Sequence, residues 1–309
     1  MEIITGTLEF ELNKDTAAAI GKFDGIHLGH QKLLEDILQK KTEGLAACVF
    51  TFDPSPAIFF GLSDKAELTT KEEKRKLFES MGVDILIEFP MTEKTAQMLP
   101  MKFVEEILIK RMRTKYIAAG TDLSFGAKGA GNAELLDQVS SVYGFRVRTI
   151  EKLKKNGEEI SSTLVRRCVE AGDMTGAQLL LGRPYSIVGK VIHGKALGRT
   201  MGMPTLNLQP EENKLLPPCG VYYSTVLYGD RRLPSITNIG YKPTVTEEHI
   251  LGAETYLYDF EEEIYGEHIE VLLLAFKRPE RKFSSLEELH AQTQMDLEEG
   301  KAYHLSKKC

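Results

Sequence analysis

The sequence changes its period once, near residue 184, and that change limits the fold more than any other feature. Before it, short apolar runs alternate with helical patterns. The runs are "TAAAIG", "LAACVFTF", "DILIEF", "KYIAAG" and "FRVRTI"; between them lie "LGHQKLLEDILQK", "TKEEKRKLFESMG", "MKFVEEILIKRMR" and "AELLDQVSSVYG". Leu33, Leu34, Ile37 and Leu38 share one face at helical spacing. Such alternation predicts a parallel sheet with helices on its faces, binding ligands beyond the carboxyl ends of its strands. After residue 184, "YSIVGKVIHG", "GVYYSTVLYG", "RLPSITNIG", "AETYLYDF" and "HIEVLLLAF" follow one another without helices. Consecutive β-branched and aromatic runs predict an antiparallel barrel or sandwich. Residues 163–182 read as helical and carry the chain across the border, so domains of 1–183 and 184–309 are expected. A last helix is expected from Ser284, because "SSLEEL" puts Glu287 at capping-box spacing.

The 309 residues suit about two domains, and 42% hydrophobic with 27% charged residues is an ordinary globular mix. A net charge of −6 gives no global attraction to nucleic acid or anionic membrane, so an anionic ligand must be held locally. No apolar run is long enough to span a bilayer, and "MEIITGTLEF" lacks a signal-peptide pattern. Cys48, Cys168, Cys219 and Cys309 are scattered without CxxC spacing, which reads as free thiols. A cytoplasmic protein is expected.

The stretch "IGKFDGIHLGH" (20–30) joins the first apolar run to the first helix. Gly21 ends the strand and Gly25 gives a second permissive position. The helix begins near Leu28, where free N–H groups and the positive dipole end favour an anion. His27 and His30, three apart, would stand on one side of that turn and suit phosphate oxygens. A zinc site lacks a carboxylate or cysteine at ligand spacing. The plain alternative is a surface turn with incidental histidines. "ISSTLVRR" (160–167) offers three hydroxyls and Arg166 at a second helix start; a serine there also serves as an ordinary N-cap.

In the second half, "GKVIHGKALGRTMGMPTLNL" (189–208) is glycine-rich, and Gly194 and Gly198 would let backbone N–H groups close on phosphate; the plain alternative is an ordinary turn. Thr205 and Asn207, two apart, put neutral oxygens on one side of a strand, where they can hold Mg2+ together with phosphate oxygens. Glu254 lies in an apolar, aromatic strand beside Ala253, Tyr256 and Tyr258; shielded there, it could act as a base.

"GKFDGIHLGHQKLL" resembles the GxFDGxHxGH signature of the bacterial bifunctional riboflavin kinase/FMN adenylyltransferases, the FAD synthetases. "TFDPSP", "LTTKEEKRKLFESMGVD", "AAGTDLSFGAKGAG" and "ISSTLVRR" follow in that family's order, and "MPTLN", "GVYY", "NIGYKPTV" and "FKRPERKFSSLEEL" resemble its kinase module. The pattern departs at Ser55, Thr121, Leu123, Ser124, Met203 and Leu206. The resemblance implies an α/β, Rossmann-like nucleotidyltransferase domain, then a small antiparallel six-stranded β-barrel with a C-terminal helix. It implies that Gly21, Phe23, Gly25, His27, His30, Ser162, Thr163 and Arg166 bind ATP for adenylyl transfer, with Phe52, Asp122 and Phe125 near flavin or adenine. It implies that Thr205 and Asn207 hold Mg–ATP, that Glu254 is the kinase base, and that Arg278 lies near the flavin. The substrates and products would be riboflavin, FMN, FAD and ATP, with no nucleic acid or membrane partner; the oligomeric state stays open. The other readings are an enzyme with one efficient half, or a flavin-binding regulator without turnover.

Overall fold

The computed structural model describes residues 1–62, 66–155, 157–193, 203, 205–211, 213–243 and 249–307, without the side chains of 242, 243 and 249–251. The chain falls into two compact units: Met1–Lys65 with Thr69–Ser162, and Ala66–Leu68 with Thr163–Cys309.

The first unit holds β1 (Glu2–Thr5), β2 (Thr16–Ile20), β3 (Ala46–Asp53), β4 (Ile85–Pro90), β5 (Thr114–Gly120) and β8 (Arg146–Ile150), with two ribbons, β6 (Ser124–Phe125) with β7 (Gly131–Asn132), and β9 (Lys154–Lys155) with β10 (Glu158–Glu159). The six long strands form one sheet in the order β1-β4-β3-β2-β5-β8, every pair parallel. β2 is wholly buried, as its unbroken apolar sequence requires of a strand covered on both faces. Ala17 and Ala19 face Leu33, Leu34 and Ile37 of α1 (Leu28–Gln39) on one side, while Ala18 and Ile20 join Phe50, Phe103 and Leu108 on the other. The chain leaves β2 for β3 and β4, then returns to β5 on β2's other edge. That reversal makes the carboxyl end of β2 a switch point, where open α/β sheets bind ligands. Buried Asp36 anchors α1, accepting from Tyr116 Oη at 2.5 Å and Arg148 Nη1 at 2.7 Å.

Two features were not expected. β1 adds an edge beside β4, and Phe103–Arg111 is wound as a π-helix.

The second unit closes β11 (Tyr185–Ile192), β12 (Thr205–Pro210), β13 (Gly220–Tyr228), β14 (Arg231–Pro243), β15 (His249–Leu257) and β16 (His268–Pro279) into a barrel, with every neighbouring pair antiparallel. Ala253, Thr255 and Leu257 are buried on one face of β15. Four buried hydroxyls form a chain across three strands. Ser224 Oγ lies 2.8 Å from both Ser235 Oγ and Thr237 Oγ1, and Thr237 Oγ1 lies 2.9 Å from Thr255 Oγ1. Tyr256 and Tyr258 take the opposite face and pack with Met203, Val221, Ile236 and Leu297, the last from the C-terminal helix Leu286–Ser306. That helix is capped one residue later than expected. Ser285 Oγ accepts from the Glu288 N–H at 3.2 Å, and Glu288 accepts from the Ser284 N–H at 3.0 Å. Each serine has a glutamate three residues on, so the sequence signal fits both registers.

Candidate active sites

The first site grows from the turn after β2. The Gly21 N–H still bonds the Phe50 carbonyl at 3.1 Å, and the chain then folds tightly. Gly25 has φ +80°, but Phe23 (φ 51°) and Ile26 (φ 41°) also take the left-handed backbone that bulky residues avoid. Both side chains are fully buried, Phe23 edge-on to Phe78. Core packing therefore holds a strained turn in place.

His27 is the N-cap of α1 rather than a member of its first turn, and its Nδ1 accepts from the His30 N–H at 3.3 Å. The two imidazoles stack, with centroids 3.8 Å apart and planes 17° from parallel. With Nδ1 as acceptor, a neutral His27 carries its proton on Nε2. His30 Nδ1 is enclosed and has no hydrogen-bond partner. Desolvation, then the neighbouring His27, hold the His30 pKa well below the ordinary value. Two aromatic amphoteric rings thus wait beside a helix N-terminus, and each would gain from an anion.

Gly29 makes this stacking possible. A Cβ there would stand 3.1 Å from two atoms of the His27 ring. The sequence showed Gly29 inside the HxGH pattern, but its steric role becomes visible only with the ring above it.

Ser162 begins the helix Ser162–Glu170, and its hydroxyl donates to the Asp24 carbonyl at 2.8 Å, bracing the same turn. Asp24, the turn's carboxylate, accepts from the Thr69 N–H at 3.4 Å. Thr163 follows in the helix, and Arg166, one turn on, donates through Nη1 to the Ala66 carbonyl at 2.6 Å.

Phe52, next to last in β3, packs against the rings of Phe50, Phe89 and Phe103. Phe125 is buried beside Phe103, and Gly131 leaves room for its ring. Asp122 is exposed, 3.4 Å from Lys152 Nζ. Ser55 is the N-cap of α2 (Pro56–Phe59), without a side-chain cap bond. Beyond it Ile58 and Phe60 are exposed, an apolar rim that sequence reasoning passed over.

The second site is a row of side chains across three strands. Asn207 on β12 and Asn238 on β14 both stand in register with Glu254 on β15, so all three project from one face. Thr205 Oγ1 donates to Glu254 Oε1 at 2.5 Å. Asn207 is buried and Glu254 half-buried. Asn238 was not expected; its signal was the "NIG" motif on the neighbouring strand. A cavity of about 250 Å3 opens beside Thr205, lined also by Leu206, Leu257, Phe260, Glu261 and Tyr265. Tyr265 stacks on His193 at 3.8 Å. Gly194 and Gly198 lie outside the described residues.

Arg278 is held by Asp296 of the C-terminal helix, donating from Nε at 3.0 Å and Nη2 at 2.5 Å. Lys277 adds a contact to Asp296 at 2.8 Å. Burial alone would raise the Asp296 carboxyl, but the hydrogen bonds from Arg278 and Lys277 take it below its usual value. The structure thus gives the Arg278 guanidinium a firm protein partner.

The oxygens at the second site suit the implied metal. Thr205, Asn207 and Glu254 are hard donors, and magnesium takes few protein ligands beside substrate phosphates. No helix among the described residues is long and apolar enough to cross a membrane.

Comparison with known proteins divides the chain in the same sense. The family model for FAD synthetase matches residues 9–164, and that for riboflavin kinase matches residues 181–304. A bifunctional riboflavin kinase/FMN adenylyltransferase of Listeria monocytogenes is 36% identical, over 95% of this chain and 93% of that protein. One from Escherichia coli K12 is 37% identical, over 90% of this chain and 89% of its own. A crystal structure described as a macrolide-efflux protein from Streptococcus pneumoniae superposes with TM-score 0.84 at 29% identity, covering 96% of this chain and 97% of that one. Sequence, motif order and fold agree: the chain belongs to the family of bifunctional riboflavin kinase/FMN adenylyltransferases.

Proposed function

We propose that the N-terminal unit joins FMN to ATP to give FAD and pyrophosphate, and that the C-terminal barrel phosphorylates riboflavin to FMN. The functional border is drawn at residues 183 and 184, close to residue 181, where the match to the riboflavin kinase model begins.

One observation carries the reading: the two sites hold opposite chemical equipment. At the first, His27, His30 and the α1 N-terminus present donors, and the turn's carboxylate, Asp24, accepts from Thr69. That suits a nucleophile already ionised. A phosphate oxygen of FMN attacks the α-phosphorus of ATP, the bond to pyrophosphate breaks, and no base is required. The residues need only align the phosphates and neutralise charge as pyrophosphate leaves. Gly21, Phe23 and Gly25 shape the turn, Ser162 braces it, and the family's motif adds Thr163 and Arg166 as ATP-binding residues. Phe52, Asp122 and Phe125 flank the flavin side, with Ile58 and Phe60 as its apolar rim.

At the second site the nucleophile is an alcohol, and a base is present. Glu254 takes the proton of the ribityl 5′-hydroxyl as that oxygen bonds to the γ-phosphorus of ATP and ADP leaves. Asn207 and Thr205 would hold Mg2+, which supplies charge neutralisation to the transferred phosphoryl group. Glu261, Glu262 and Glu263 line the cavity beside Thr205, and such a lining disfavours a bare polyphosphate. Gly194 and Gly198 would close on the nucleotide, and Arg278, set by Asp296, would border the flavin. Cys48, Cys168 and Cys219 form no disulfide among the described residues, in keeping with a reducing cytoplasm.

Chromatography of riboflavin, ATP and magnesium with the full chain tests the reading. FMN should appear first and FAD after it. FMN alone would restrict the chain to kinase activity, and bound but unchanged riboflavin would make it a flavin-binding regulator.

A further inference from the structure

Residues 69–75, "TTKEEKR", look in sequence like a solvated helix start. In the structure they are bonded on two sides. On one side Thr69 Oγ1 accepts from the Gly25 N–H at 3.0 Å, and the Thr69 N–H donates to Asp24 Oδ1 at 3.4 Å. This segment therefore touches the turn that carries His27. A closed capping box between Thr70 and Glu73, both buried, then stiffens the start of α3 (Lys71–Ser80).

On the other side Lys71 Nζ meets three oxygens: Asp53 Oδ2 at 2.5 Å, Glu88 Oε2 at 3.3 Å and Thr5 Oγ1 at 3.5 Å. An ammonium has three protons. Its acceptors come from the last residue of β3, from β4 and from the last residue of β1, so one side chain gathers three neighbouring strands near their carboxyl ends. The acceptors depend on it unequally. Buried Glu88 also receives Arg75, through Nε at 2.9 Å and Nη2 at 2.5 Å. Among the described residues, Asp53 has no other ion pair than that with Lys71. Asp53 also opens the loop that runs through Ser55 and α2 to exposed Phe60.

We propose that Lys71 is a positioning residue for adenylyl transfer: it fixes the Asp53–Phe60 loop on the flavin side, while Thr69, in the same stiff segment, fixes the nucleotide turn. The inference rests on the reading of that loop as the flavin side. Lys71 touches no reacting atom; it sets the distance between the two substrates' supports. Small misplacements of such supports carry large kinetic costs.

The test compares Lys71→Met, Lys71→Arg, Asp53→Asn and Phe60→Ala in the full chain. KM for FMN and for ATP is measured in FAD formation, and riboflavin phosphorylation in the other unit is the internal control. Lys71→Met and Asp53→Asn should raise KM for FMN about tenfold, with KM for ATP moving less than about twofold and the kinase rate unchanged. Lys71→Arg, which keeps the charge, should recover most of the loss. An unchanged KM for FMN in Lys71→Met overturns the proposal. So do equal losses for FMN and ATP with a lowered melting temperature, which would mark Lys71 as a general stabiliser. A shift in Phe60→Ala alone leaves the flavin-side reading standing and removes Lys71; no shift in any variant removes both.

Discussion

The two sites stand on different architectures and solve different problems. In the first unit, a turn at the end of a buried parallel strand points a helix N-terminus and two stacked imidazoles at one spot. In the barrel, the pleat aligns Asn207, Glu254 and Asn238 from three strands that need not be adjacent in sequence. A turn can gather backbone N–H groups, which bind anions; a pleated face can gather side chains, including a shielded carboxylate. The difference teaches that the required nucleophile, a phosphate in one case and an alcohol in the other, is matched by the element that presents the site.

The comparison breaks most sharply at Glu254. Glu254→Gln keeps size and hydrogen bonding but cannot accept a proton, so riboflavin phosphorylation should fall by about 10²–10⁴ while FAD still forms from supplied FMN. Near-normal FMN production would reduce Glu254 to an ordinary strand residue. His30→Ala is the converse, with FAD formation down by about 10²–10³ and FMN formation spared. If both activities fall together in either variant, the sites are not chemically separate.

A smaller effect sharpens the contrast in acid. His30 has a pKa depressed by burial in the folded chain. Below the unfolded value of about 6.5, the unfolded chain binds a proton that the folded one refuses, so stability falls with pH from that point down to the folded value. Asp296 of the C-terminal helix is also depressed, and its contribution is full above the unfolded carboxylate pKa of about 3.9 and lost only below it. Between pH 7 and 5 the wild-type melting point should therefore drop more than that of His30→Gln. Parallel curves would mean that His30 titrates freely.

Much of this was legible in the sequence. The apolar runs named the central strands because buried parallel strands tolerate little else, and the GxFDGxHxGH pattern placed both histidines at one helix start. β1 was missed because Glu2 and Thr5 are exposed and the strand has four residues, too few for a period. The π-helix was missed because Phe103, Val104, Ile107 and Leu108 keep an ordinary helical spacing. Lys71 lay hidden in a run of charges, where a solvated face and a three-way tie read alike. The Arg278–Asp296 pair spans 18 residues and two element types, which no local pattern encodes.

The hydroxyl chain inside the barrel acts as a check on assembly. Ser224 faces Ser235, and Thr237 faces Thr255, in the native pairing. Shift β15 by two residues so that Leu257 faces Thr237, and Thr255 meets Ile239 with no hydroxyl to bond, while Thr237 keeps only Ser224. That stranded hydroxyl would cost about 1–3 kcal/mol. An all-hydrocarbon interior would tolerate such a slip far better, and the slip would carry Glu254 out of line with Asn238. The interior oxygens thus work as an indexing mark: they discriminate against misthreaded barrels whose outer face would present the right residues in the wrong row.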